Sequence, residues 1–307
     1  MGGMQYSVHS KFILSPIIEI LKDTVNACIG IGRGIETQSL GEYVLQTTFL
    51  RMTGASEQKL KCICWEMATN DYDYRYHYLK KNYGECSSYQ DKCSIYREMV
   101  EMTRKMDPSF NIARLFDDID TSSKEEELIN QKIRETQRLQ EKKEKRKLTE
   151  DEVKKLSKGI RDNYAKKGLG EKEKLHLCKV IEFENIQERL ANVIGNSLVA
   201  QWGQHKYNDY KQKWNTMSGW GFAEGDNLFV KELQDLYTDF VYAHRNRCAH
   251  NLASCRNNLP TLKTLADDRF VYSNYYFYFS VLLLLDDIFI RLYRAYQDSL
   301  KRMSEQF

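Results

Sequence analysis

Only three prolines and 16 glycines interrupt these 307 residues, and no stretch alternates apolar and polar residues for long enough to make a strand of useful length. Breakers this sparse favour long helices over a turn-rich sandwich or barrel. Long apolar runs are scarce as well. The longest, residues 275–285, stops at Asp286 and Asp287 and is about half of what a bilayer requires. No global excess of one charge exists, since the net charge is only +3, so a nucleic-acid surface would have to come from uneven distribution. Eight cysteines, at 28, 62, 64, 86, 93, 178, 248 and 255, show no regular framework. With no signal-peptide pattern ahead of them, the expectation is free thiols in a reducing cytoplasm. No C-x-x-C pair occurs, and Cys62 and Cys64 fall on opposite sides of a helix, so Cys62, Cys64, His77, Cys86 and Cys93 are not expected to hold zinc. Gly30-Ile31-Gly32-Arg33-Gly34 follows a helical pattern and lacks a Lys-Ser/Thr ending, which makes it a turn, not a phosphate loop.

What the chain does have is apolar periodicity, and 42% hydrophobic content is ample for a buried core. Ile17, Ile20, Leu21, Thr24 and Cys28 recur at helical spacing. Residues 39–82 read as one long helix or two stacked ones, with Gly54 as the place for a kink and Tyr43, Leu50, Leu60, Ile63, Trp65 and Met67 as apolar coverage. Tyr72, Tyr74, Tyr76, Tyr78 and Tyr83 then crowd among Arg75, Lys80 and Lys81. Such interleaving can stack unpaired bases. Alternating tyrosines fall all round a helix, however, so packing against the core or a second copy is the expectation. An amphipathic helix over 89–106 ends at Asp107-Pro108.

Composition changes after residue 107. An acidic patch over 117–127 precedes a charge-dense stretch in which Lys142, Lys143, Lys145, Arg146 and Lys147 form a basic cluster. Glu/Lys pairing predicts an exposed helix or hairpin here; its functional reading is an arm that grips an RNA backbone or a partner. Core periodicity resumes through Cys178, Phe183, Ile186, Leu190, Val193 and Ile194. Trp202, Trp214 and Trp220 lie in a glycine-spaced connection over 201–227 and are expected to cap the bundle. Phe229, Leu233, Leu236 and Phe240 mark the buried face of a helix beginning near Leu228, and a final helix over 269–303 carries a wide aromatic stripe. The expected fold class is all-α. Its expected segments are N-terminal helices over 1–106, a charged helical insertion over 107–170 and C-terminal helices over 171–307.

The stretch of greatest chemical interest is Arg245-Asn246-Arg247-Cys248-Ala249-His250. An arginine carries a permanent charge on a fork that fits phosphate, and histidine titrates nearest neutrality. Together they suffice in principle to cut RNA without a metal. Five helical steps put Arg245 and His250 about 140° apart, so on one ideal helix they cannot share a face. Either the helix frays before His250, or the site combines residues of two copies around a two-fold axis. Asn246 and His250, four apart, do share a face, which would let Asn246 orient the ring.

R-N-x-x-A-H closing a helix resembles the signature of HEPN domains, all-helical modules that are mostly metal-independent endoribonucleases acting as dimers. The resemblance implies catalytic roles for Arg245, Asn246 and His250, with Arg247 a secondary candidate. Residues 49–60 are similar to the first helix of that family, which often carries an acidic residue in an apolar stripe; Glu57 is the residue in that place. If both matches hold, the bundle is assembled from the two ends of the chain around an insertion. The resemblance further implies RNA (tRNA, mRNA or rRNA) as substrate, a homodimer, no cofactor or metal, and a role in toxin or anti-phage defence under an antitoxin or other regulatory protein. Asn251-Leu252 after His250 departs from the subset with x-Tyr there that is silenced by adenylylation, which puts that partnership in doubt. No α/β sensor pattern accompanies the motif. The rival from another class is a helical interaction module in which Arg245 and His250 are structural; a nucleotide-binding HEPN protein without nuclease activity is a third.

Overall fold

The computed structural model describes residues 7–80, 86–195, 197–203, 221–250 and 267–305, with the side chains of Ser123, Glu224 and His250 outside the description. Its fold is all-α apart from one two-stranded hairpin. The chain forms two compact units, Met1–Leu115 with Phe183–Phe307, and Phe116–Glu182. Both ends of the sequence therefore share one core. The limits lie beyond the expected 106 and 170 because Phe110, Ile112 and Leu115 are buried and Arg291 Nη1 donates to the Leu115 carbonyl at 2.9 Å.

In the larger unit, α1 (Val8–Leu14) and α2 (Ile18–Ala27) lead to α3 (Gln38–Asn70), α4 (Tyr72–Lys80) and α5 (Tyr89–Met106). Gly54 does not break α3; the interruption comes at Asp71, whose φ of −131° and ψ of 117° are extended. Leu60, Ile63 and Met67 are buried as expected, but Trp65 is 61% and Tyr43 66% exposed. The chain after Ala27 is a turn, with Gly30 at φ +92°. Helix α5 starts where Ser88 caps the Asp91 N–H at 3.1 Å and stops at Asp107, which also accepts from Arg302 at 3.0 Å.

Helix α8 (Glu171–Ile194) belongs to this unit from Phe183 onward. Helix α9 (Leu198–Gly203) brings Trp202 against α3 at Gly41, where a Cβ would stand 2.4 Å from the indole. Trp214 lies outside the described residues, as does Trp220. The hairpin of β1 (Phe222–Glu224) and β2 (Asn227–Phe229) pairs Phe222 with Phe229. It occupies the place where the sequence suggested the helix start, and α10 (Lys231–Leu236) begins only after it. Residues Tyr237–Tyr242 continue as a π-helix into α11 (Ala243–His250). The last helix, α12 (Tyr275–Ser304), is capped by Asn274 accepting from the Phe277 N–H at 2.9 Å and packs on α1, α3 and α5 as the centre of the bundle.

A buried ion pair sits in that core. Lys59 of α3 and Asp286 of α12 pair at 2.5 Å. Lys59 Nζ also donates to the Ser15 carbonyl, and Asp286 accepts from the Ile17 N–H at 2.9 Å. The carboxylate that ends the longest apolar run is thus an internal fastener for the α1–α2 corner. Burial pushes the Lys59 ammonium down and the Asp286 carboxyl up, each against the pull of the other.

In the smaller unit, α6 (Ser122–Glu144) and α7 (Glu150–Lys167) form a hairpin. A capping box between Thr149 and Glu152 starts α7. No helix among the described residues is long and apolar enough to cross a membrane.

Candidate active site

The motif is presented by a change of helical pitch. Residues at α-helical spacing, Phe229, Leu233, Leu236 and Phe240, should share a face, but the π segment over Tyr237–Tyr242 shifts the phase. Tyr237 and Val241 become buried, whereas Phe240 is only half-buried. Helix α11 then follows with Arg245 turned toward α3. Its guanidinium meets Glu57, with Nη2 3.1 Å from Oε2 and the two side chains 22% and 14% exposed. Residues 188 apart in sequence are joined there.

Asn246 joins the arrangement through the arginine, while its expected contact with the His250 ring lies outside the described residues. Its Oδ1 accepts from Arg245 Nη1 at 3.2 Å, so it steadies the arginine's fork. Helix α11 continues unbroken through His250, which removes fraying as the way to bring Arg245 and His250 onto one face. The side chain of His250 lies outside the described residues.

A pocket opens beside Arg245, lined by Ser56, Glu57, Lys92, Tyr237 and Tyr242 among others. It encloses about 10 Å³, room for about one water-sized atom. Lys92 is the unanticipated member. It stands on the buried face of α5 at 2% exposure, its Nζ donating to the carbonyls of Cys86 at 2.7 Å and Ser87 at 3.0 Å. Desolvation brings this ammonium down to about 8, with the charge of Glu57 opposing the shift. Burial likewise raises the phenol of Tyr237. A signal existed in the sequence: Tyr89, Lys92, Cys93, Tyr96 and Met99 follow helical spacing, so a lysine occupies an apolar stripe.

One turn before Arg247 and Cys248, His244 stacks on Tyr278 with centroids 4.7 Å apart and touches Phe49 and Tyr275. Desolvation, and then the charge of Arg247, hold this imidazole down at about 4. Arg247 Nη2 lies 3.4 Å from Nδ1 and Cys248 Sγ 3.4 Å from Nε2. Arginine can only donate, which assigns the ring proton to Nε2. The pair superficially resembles a cysteine–histidine nucleophile. It is the reverse electrostatically, because burial raises the Cys248 thiol while the imidazole stays neutral. His244 is therefore packed as a neutral ring among Phe49, Tyr275 and Tyr278.

The basic cluster belongs to the other unit. Lys142 and Lys143 end α6, Lys145 takes the left-handed position at φ 52°, and all five cluster residues are exposed. Arg146 is engaged within the hairpin, 2.8 Å from Glu144 and 2.7 Å from Glu152. Cys28, Cys62, Cys64, Cys86, Cys93 and Cys248 are buried free thiols. Among the described residues no group of three or more His, Cys, Asp or Glu is placed to hold a metal.

Fold and site together define an all-helical protein with a carboxylate and two cations gathered around a small pocket at the start of α11. No family model, curated protein or solved structure matches the chain.

Proposed function

We propose that this chain is a metal-independent endoribonuclease of the HEPN type. The observation that carries the reading is the half-buried Arg245 guanidinium, held by Glu57 and Asn246 five residues before His250 on one continuous helix. An oriented guanidinium is a phosphate clamp. RNA supplies its own nucleophile. His250 takes the 2′-hydroxyl proton or protonates the departing 5′-oxygen; the new bond joins the 2′-oxygen to phosphorus while the bond to the 5′-oxygen breaks. The products are a 2′,3′-cyclic phosphate and a 5′-hydroxyl.

The unbroken helix favours the two-copy arrangement for bringing imidazole and guanidinium to one phosphate, so the active form in this reading is a homodimer. The RNA is tRNA, mRNA or rRNA, the exposed Lys142, Lys143, Lys145 and Lys147 grip its backbone, and the setting is a toxin or anti-phage effector governed by a regulatory protein. A second reading, a non-catalytic interaction module, is favoured by α4, where Tyr72 is 77%, Tyr76 52% and Leu79 78% exposed, so that of the two expected kinds of packing the core does not supply it for these residues and a second copy or partner is left.

The test is incubation of purified protein with total RNA in EDTA, followed by mapping of the cut ends. Cyclic phosphate and 5′-hydroxyl ends, lost in His250→Ala and Arg245→Ala variants that still fold and self-associate, are the expected result. Unchanged cutting by His250→Ala removes the enzyme reading in favour of the second one.

A further inference from the structure

Lys92 has no structural account of the usual kind. A buried ammonium forfeits several kcal/mol of hydration, and here only two peptide carbonyls compensate. Among the described residues it forms no ion pair, whereas the equally buried Lys59 has Asp286 at 2.5 Å. Two of its three N–H groups are used, and the Tyr237 ring, 6.0 Å from Nζ, covers one side. The remaining donor belongs to a side chain lining the same pocket as Arg245 and Glu57. Burying an ammonium with no carboxylate bonded to it carries a desolvation cost that an apolar side chain at this position would not. Its burial at this point therefore calls for a ligand.

The chemistry of that ligand follows from the walls. Arg245 and Lys92 approach from α11 and α5, and Glu57 of α3 is the carboxylate they share space with, leaving a net positive pocket with room for about one oxygen atom. Carbonyls behind the ammonium anchor it without neutralising it. We propose that Lys92 and Arg245 are the two cationic walls of an oxyanion pocket for one non-bridging oxygen of a phosphodiester, and that Glu57 occupies the guanidinium until that oxygen displaces it. The inference rests on the reading of Arg245 as a phosphate clamp and adds to it a second clamp and a resting-state plug. At neutral pH the ammonium is still charged, because burial brings it only to about 8.

The experiment needs no RNA. Inorganic phosphate and dimethyl phosphate are titrated into the full chain by calorimetry and ³¹P line broadening, for wild type, Glu57→Gln and Lys92→Met. Removing one full charge beside the pocket should tighten both probes about tenfold in Glu57→Gln and weaken them about tenfold in Lys92→Met. Dimethyl phosphate binding comparably to inorganic phosphate supports a diester site, whereas binding of the inorganic ion alone overturns that assignment. Lys92→Met that binds as wild type does, or no binding to wild type and Glu57→Gln alike, overturns the pocket itself. If Lys92→Met fails to fold, Glu57→Gln decides alone, since an unchanged affinity there removes the plug. Lys92-dependent diester binding by a protein that leaves RNA uncut would retain this inference while ending the nuclease reading.

Discussion

Lys59, Lys92 and Asp286 in the larger unit are each under 5% exposed, whereas the α6–α7 hairpin carries its lysines, arginines and glutamates mostly in solvent. The same side-chain types do different things in the two places. In the bundle each charge has few partners, and losing one leaves the other without water. In the hairpin most charges keep their hydration, and each pair is one among several. Counting ion pairs per residue, among the described residues, would rank the hairpin as the more strongly fastened region. Burial ranks them the other way, and the contrast can be tested from its strongest case downward.

The sharpest case is Asp286→Ala, which leaves the Lys59 ammonium facing only the Ser15 carbonyl. A loss of about 3–5 kcal/mol in urea or thermal unfolding is expected. The double variant Lys59→Met/Asp286→Leu should recover most of it, since it removes the stranded charge. A single-variant loss below about 1 kcal/mol would break the contrast at its strongest point.

Next comes His244, enclosed by Phe49, Tyr275 and Tyr278. Its imidazole sits at about 4 in the folded chain against an ordinary 6.5, so between those values the unfolded chain binds the extra proton. The contribution is intact above pH 6.5 and is lost as pH falls toward 4, by up to about 3 kcal/mol. His244→Phe should flatten that acid limb in stability measured from pH 7 to 4. An acid limb of the same depth in His244→Phe would assign it to other groups.

A smaller effect is expected at the start of α7, where Thr149 accepts from the Glu152 N–H at 3.4 Å and Glu152 reaches back to the Thr149 N–H at 2.8 Å. Thr149→Ala should cost about 1 kcal/mol of local helix stability. Faster amide exchange confined to the first turns of α7 would report it. Global unfolding should not move.

Legibility in the sequence follows the same division. Helix α5 was readable at both ends because Ser88 and Asp107-Pro108 are local signals, and the hairpin was readable because solvated charge patterns need no partner. Trp65 and Tyr43 were misplaced, because apolar residues on a long helix do not reveal which neighbours exist to cover them. The π segment is a tertiary compromise that no local residue announces, and it moved the buried face from Phe240 to Val241. Arg245, Asn246 and Glu57 were each named from the sequence, but only folding shows Asn246 steadying the arginine's fork. Lys92 and Lys59 were missed for one reason: a lysine inside an apolar stripe looks like a tolerated surface residue until the helices that enclose it are in place.

The smallest effect is the one that separates pair number from pair strength most directly. Arg161 of α7 reaches across to α6, 2.7 Å from Glu126 and 2.8 Å from Asn130. Its geometry is as good as that of Lys59 with Asp286, yet the Arg161 and Glu126 side chains are 45% and 59% exposed. Water and salt therefore screen the attraction, and ordering two long side chains opposes it. A double-mutant cycle of Arg161→Ala and Glu126→Ala, read by amide exchange in α6 and α7 of the full chain, should give a coupling under about 1 kcal/mol that fades as salt is added. A coupling above about 2 kcal/mol that persists in high salt would mean that the hairpin is fastened by its charges after all, and burial would no longer be the property that distinguishes the hairpin from the bundle.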